Sequence, residues 1–160
     1  MKYFKTTLIL FSILFNCSYS FGQSFSLPEL IKMSKMSVDD FDTYVTSKGF
    51  VFEGVEKDDH LEGVSYALNP TSDSRSSKFI TLYQRFYDYR YKISLQTIDK
   101  KEYINIKNQI KTLGFKLQDS GIFTSDEGRV SNRFDYGKGK SKVSIYADAT
   151  SFEVNYKVEF

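Results

Sequence analysis

Thiols and imidazoles are almost missing from this chain. Its 160 residues include one cysteine, Cys17, and one histidine, His60. Without a second cysteine no intrachain disulfide can form, and a zinc site built on cysteines is excluded. A Ser-His-Asp hydrolase would have to rest on His60, yet no serine stands in a GxSxG setting. Long apolar runs are missing too. After the first twenty-odd positions no segment approaches the roughly 18 apolar residues that a membrane-spanning helix needs.

The start of the chain has its own logic. Lys2 and Lys5 precede TTLILFSILF, an uncharged and mostly apolar run, and YSFGQS follows with Ser20 and Gly22 at the small-residue positions of a signal-peptidase site. That layout predicts a secretory signal peptide over 1–22, cleaved between Gly22 and Gln23, and a periplasmic or extracellular destination. The alternative is a lipid anchor at Cys17. A lipobox wants a small residue just before the cysteine, and Asn16 behind Phe15 does not supply one. With ordinary cleavage the mature chain holds no cysteine at all. Loss of Lys2 and Lys5 brings the 22 basic residues to 20, equal to the 20 acidic ones. A mature chain of zero net charge lacks the electrostatic footprint of a nucleic-acid binder.

What remains, 23–160, is the length of one domain and buries roughly 68% of its unfolded surface. SLPELIKMSKM begins with Ser26 and Glu29 in capping-box spacing, and Pro28 suits a first helical turn. Leu27, Leu30 and Ile31 are expected to face inward. Ser37 starts a second helix in which Val38, Phe41 and Val45 share a face. Asp99 and Glu102 are expected to cap a third, whose inner stripe is Tyr103, Ile106, Ile110 and Leu113.

The second and third helices end in the same words. A shift of 65 residues places Gly49 on Gly114 and Phe50 on Phe115. The glycine suits the left-handed position that closes a helix, and the phenylalanine then enters the core. Strand-like runs follow each helix. TSFEVNYKVEF sets Phe152, Val154, Tyr156 and Val158 against Glu153, Asn155, Lys157 and Glu159, which predicts one buried and one wet face. KVSIYAD aligns Val143 and Ile145, RVSNRFDYG aligns Val130, Phe134 and Tyr136, and YKISLQTI aligns Tyr91, Ile93 and Leu95.

The expected fold is therefore α+β: two tandem α-β4-like repeats, each a helix plus an antiparallel sheet, at 37–98 and 99–160, packed together behind an extra N-terminal helix at 23–36. This arrangement resembles the β-lactamase-inhibitor-protein-like architecture, and it is similar to the small lipoprotein domains of outer-membrane assembly. The signal ending in FGQ resembles those of exported proteins of Bacteroidota. The resemblance implies layout and export, and it carries no functional residue.

Chemistry is sparse. Asp58, Asp59 and His60 follow one another and would diverge in a turn rather than converge on an ion. SDEG at 125–128 lacks the extended ligand pattern of a calcium loop. No cofactor and no metal are expected, and no catalytic constellation is visible. The one segment that stands out is LYQRFYDYRYKI, residues 82–93, where aromatic and basic residues crowd together. Arg85, Tyr87, Tyr89 and Arg90 are expected at or beside a hairpin tip, and exposed Tyr and Arg are the residues that interfaces favour. The ordinary reading of the same residues is strand formers packed against a core.

The function expected first is a secreted or periplasmic binding module for a protein or a cell-envelope polymer, with no nucleic acid and no stable membrane insertion. A structural subunit of an envelope complex or homo-oligomer is the alternative, and a carboxylate-based hydrolase comes third. Intact mass or N-terminal sequencing of exported protein checks the leader: the expected product begins at Gln23, and a diacylated Cys17 would overturn it.

Overall fold

The computed structural model describes residues 24–57, 62–68, 77–85 and 89–159. Among these residues, three helices arise from local capping. α1, Leu27–Met33, starts at Ser26, whose side chain accepts from the Glu29 backbone while the Glu29 carboxylate reaches back to the Ser26 N–H. α2, Val38–Ser47, is capped by Ser37. α3, Lys100–Thr112, is capped by Asp99. Gly49 and Gly114 follow α2 and α3 at φ 86° and 81°, the left-handed conformation expected of them. After α3 the Phe115 N–H donates to the Ile110 carbonyl and the Gly114 N–H to Lys111, which satisfies carbonyls that the helix end leaves open.

Four strands follow α2 and four follow α3: β1 (Phe50–Lys57), β2 (Glu62–Leu68), β3 (Lys78–Arg85), β4 (Tyr89–Thr97), then β5 (Lys116–Thr124), β6 (Val130–Lys138), β7 (Ser141–Ala147) and β8 (Phe152–Glu159). They form one antiparallel sheet in the order β1-β2-β3-β4-β8-β7-β6-β5. The seam is β4 against β8, running from Tyr89↔Glu159 to Thr97↔Phe152. Both edge strands carry a bulge, between Phe52 and Gly54 in β1 and between Leu117 and Asp119 in β5.

Alternation along the strands turns one face toward the helices. Ile80, Leu82, Ile93, Leu95, Val143, Ile145, Val154 and Tyr156 meet Leu27, Leu30, Met33, Phe41, Val45, Ile106 and Ile110 in a single core. Each such Leu, Ile or Phe withdrawn from water contributes about 1.5–3 kcal/mol before entropy is counted. Two expectations need correction. Val130 shares a face with Phe134 and Tyr136 yet is 58% exposed, because it opens β6 opposite Thr124 of the exposed edge strand, where the core has run out. Glu102 does not reach back to cap α3, and the Asp99 N–H goes to Thr97 Oγ1 instead.

Glu102 is committed elsewhere. Its side chain is 0% exposed, with Oε2 2.8 Å from Lys78 Nζ on the inner face of β3. Oε1 accepts the Phe25 N–H at 2.6 Å, so one carboxylate ties the segment before α1 to α3 and to the sheet. Taking two charges out of water is costly, and leaving one behind alone costs more. Glu102→Ala is expected to destabilise the fold by about 3–5 kcal/mol in urea denaturation. Lys78→Met combined with Glu102→Gln keeps an acceptor for Phe25 and should cost clearly less than the two single changes summed. Additive costs would show that the pair does not act as a unit.

Candidate functional site

Among the described residues, no helix packs on the other face of the sheet. Its side chains fall into rows that run across the strands, because cross-strand partners point the same way. The middle row passes through all eight strands: Gly54, Ser65, Thr81, Ser94, Asn155, Ser144, Asp135, Asp119. Nearly every member of it is small and polar.

The rows on either side are larger. One reads Phe79, Gln96, Glu153, Tyr146, Arg133, and the other Tyr83, Lys92, Lys157, Lys142. Small side chains between long ones make a trough perpendicular to the strands. Seven inter-strand steps of about 4.8 Å give it a length of roughly 34 Å. Three hollows lie along it: about 250 Å³ over Gly54, Ser65 and Thr81, about 470 Å³ around Gln96, Glu153, Asn155 and Tyr146, and about 330 Å³ over Asp135, Ser144 and Lys157. The central hollow is closed on one side by the β5–β6 hairpin, which contributes Phe123, Ser125, Glu127 and Arg129.

The floor is already hydrogen-bonded. Ser65 and Thr81 share a 2.6 Å bond, and Ser65 also donates to Glu56 at 3.0 Å. Glu153 Oε1 accepts from Asn155 Nδ2 at 2.7 Å and from Ser94 at 3.4 Å. Asn155 is bonded on its amino side, while its Oδ1 meets no donor among the described residues. Gly63 has a steric reason: a Cβ there would lie 2.9 Å from the Tyr83 ring, so the glycine lets that ring pack close against β2.

Charges on this face are matched locally. Arg133 pairs with Asp119 and lies 3.2 Å from Asp135, while Lys142 is 2.8 Å from Glu159 and Lys157 is 3.9 Å from it. Lys92 sits 4.0 Å above the Tyr83 ring, whose hydroxyl donates to Glu56 at 3.2 Å. Burial pushes the Lys92 ammonium below its ordinary pKa, against the pull of Glu153 and Glu56. Burial, with Glu56 beside it, pushes the Tyr83 phenol well above its ordinary value. Tyr83 is thus covered by Lys92 above and β2 below, and the aromatic platform of this face is the edge-to-face pair Phe123–Tyr146, with ring centroids 5.0 Å apart.

The residues expected from sequence stand at the margin. Arg85 closes β3 and Tyr89 and Arg90 open β4, just past the Tyr83–Lys92 pair, while Tyr87 lies outside the described residues. His60 and Cys17 also lie outside them. No group of three or more His, Cys, Asp or Glu suited to a metal occurs among the described residues. No helix among them is long and apolar enough to cross a membrane. Sequence reading missed the trough, since each strand gives its row a single residue. The only local signal was the polar alternation of KISLQT and FEVNYK.

Asp148 shapes one end of the central hollow. Burial would raise its pKa, but the N–H groups of Thr150 and Ser151 and both their hydroxyls donate to it and hold it at about 2. A depressed pKa contributes stability above the unfolded value and loses it as pH falls through the folded one. Melting temperatures of wild type and Asp148→Asn are therefore expected to differ most above about pH 4 and to converge toward pH 2. A gap that is constant with pH would assign the turn's stability to something other than this carboxylate.

Compared with known proteins, the chain matches no family model, no curated protein and no solved structure.

Proposed function

We propose that this is an exported binding module that recognises a protein or a cell-envelope polymer across the open face of its sheet. The observation that carries the reading is the row of small polar side chains through eight strands. Wet strand positions are ordinarily filled by long or β-branched residues, which gain from cross-strand packing. A file that sets Ser65, Ser94, Asn155 and Ser144 around the single β-branched Thr81 gives up most of that packing and leaves a channel. Export is supported by the basic start, apolar run and small residues before Gln23.

The same proposal holds that the chain is two copies of one α-β4 unit. Supporting it, Gly49 and Gly114 lie 65 residues apart, and so do the bulges after Phe52 and Leu117. The two halves also meet at equivalent strands, β4 and β8. Duplication puts the trough's midpoint at the seam, where Ser94 faces Asn155.

A structural subunit joined through its sheet edges is the second reading, favoured by Val51, Val55, Leu117 and Ile122 exposed on β1 and β5. The bulge in each edge strand weighs against it, since bulges break the ladder that a neighbouring strand would extend. The third reading, a carboxylate hydrolase, would draw on open-face acids such as Glu56, Glu153, Asp119, Asp135 and Glu159. Glu56 and Glu153 are engaged as acceptors for floor side chains and the other three pair with Arg133 or Lys142, which suits a structural role.

Arg85, Tyr87, Tyr89 and Arg90 are the recognition residues that the sequence proposes as a hairpin tip. Tyr87→Ser with Arg90→Ser is expected to leave the melting temperature nearly unchanged and to abolish capture of partner from envelope extract or culture medium. Unfolding of the double variant, or unchanged capture, removes the tip from the binding surface. Light scattering should return the mass of a single chain. A stable dimer would favour the edge-joined subunit instead.

A further inference from the structure

We infer that the ligand laid along the trough is an uncharged, hydroxyl-rich saccharide chain. This deepens the binding reading above and rests on it. The first argument is electrostatic. Lys142, Lys157 and Arg133 are each within ion-pair distance of a carboxylate, and Glu153 stands in the row beside Lys92. A polyanion laid here would meet Glu153, Asp135 and Asp119 as well as the lysines, and a polycation would meet the reverse. A neutral chain meets neither penalty.

The second argument is hydrogen bonding. A sugar hydroxyl both donates and accepts, as do the Ser and Thr hydroxyls of the floor, so each can add a bond without breaking those it has. Glu153 offers an acceptor at the midpoint, and Lys92 offers donors. An extended peptide is suited differently. Its backbone N–H and C=O groups look for a ladder, and a sheet offers ladders at its edges, not across its face. The third argument is the walls. Tyr146 with Phe123 presents flat apolar rings with polar neighbours, a surface on which the C–H face of a pyranose can lie. A mostly preformed cleft with few oriented polar groups is the usual form of a small-ligand subsite.

The test is native affinity electrophoresis of the purified protein in gels holding dextran, a mixed-linkage β-glucan, xylan or mannan, with alginate as the anionic comparison. Each is run at low salt and in about 0.5 M NaCl, where exposed charge pairs are screened. Retardation by at least one neutral polysaccharide, unchanged by salt, is expected. Ser144→Tyr, which fills the trough from its floor with a good strand former, should abolish it. Tyr146→Ala should weaken it at least tenfold, on the order expected for a central aromatic contact. Ile104→Ser on the outer side of α3 should leave it unchanged. Thermal melts establish that each variant is folded, and Ser144→Tyr stands in if Tyr146→Ala is not.

Three results overturn the inference: no neutral polysaccharide retards the folded protein, Ser144→Tyr binds as well as wild type, or alginate alone binds and salt removes it. A protein captured by wild type and lost with Ser144→Tyr would sink the saccharide while leaving the open face as the binding surface. If Ser144→Tyr alters binding of neither kind of ligand, both readings fall.

Discussion

The pairing of β4 with β8 is the interaction on which everything else rests. It joins residues about sixty positions apart and turns two four-stranded sheets into one of eight strands. A helix with four strands, about 60 residues, lies near the lower limit for a core of its own. Sharing the core across the seam lifts that limit. The seam also assembles the candidate site, since Lys92↔Lys157, Ser94↔Asn155 and Gln96↔Glu153 are all pairs of this ladder.

Strand alternation assigns opposite tasks to the two faces, and the most instructive residue breaks the rule. Lys78 has the inward parity of Ile80 and Leu82, in a layer that is mostly apolar. It is tolerated because Glu102 meets it, and Glu102 in turn receives the N–H of Phe25. Such a pair is weak evidence for stability, because desolvation offsets most of the attraction. Its value is positional. Three segments remote in sequence can satisfy these groups together in one arrangement only, whereas apolar contacts alone would allow sliding.

Local chemistry was legible in the sequence, and assembly was not. Ser26, Ser37 and Asp99 announce helix starts because a cap acts within three residues. Gly49 and Gly114 announce helix ends for the same reason. Strand alternation was equally local. Glu102 shows where this fails: its spacing from Asp99 is that of a capping box, but the choice between Asp99 and Lys78 is made by tertiary structure. The trough is the extreme case. Sequence search favours residues that crowd together along the chain, as aromatics do in 82–93, whereas the open-face row takes one residue from each of eight strands.

The place of β8 in the sheet has a kinetic side. Last of the eight strands in chain order, it occupies the middle of the sheet. Until Phe152–Glu159 docks, β4 is an open edge whose Ile93 and Leu95 have neighbours on one side only. The bulges that guard β1 and β5 offer this transient edge no protection. Contacts that close loops of such length are slow to form. With no disulfide to hold the halves near one another, the chain is most open to misassociation in the interval before its final strand arrives.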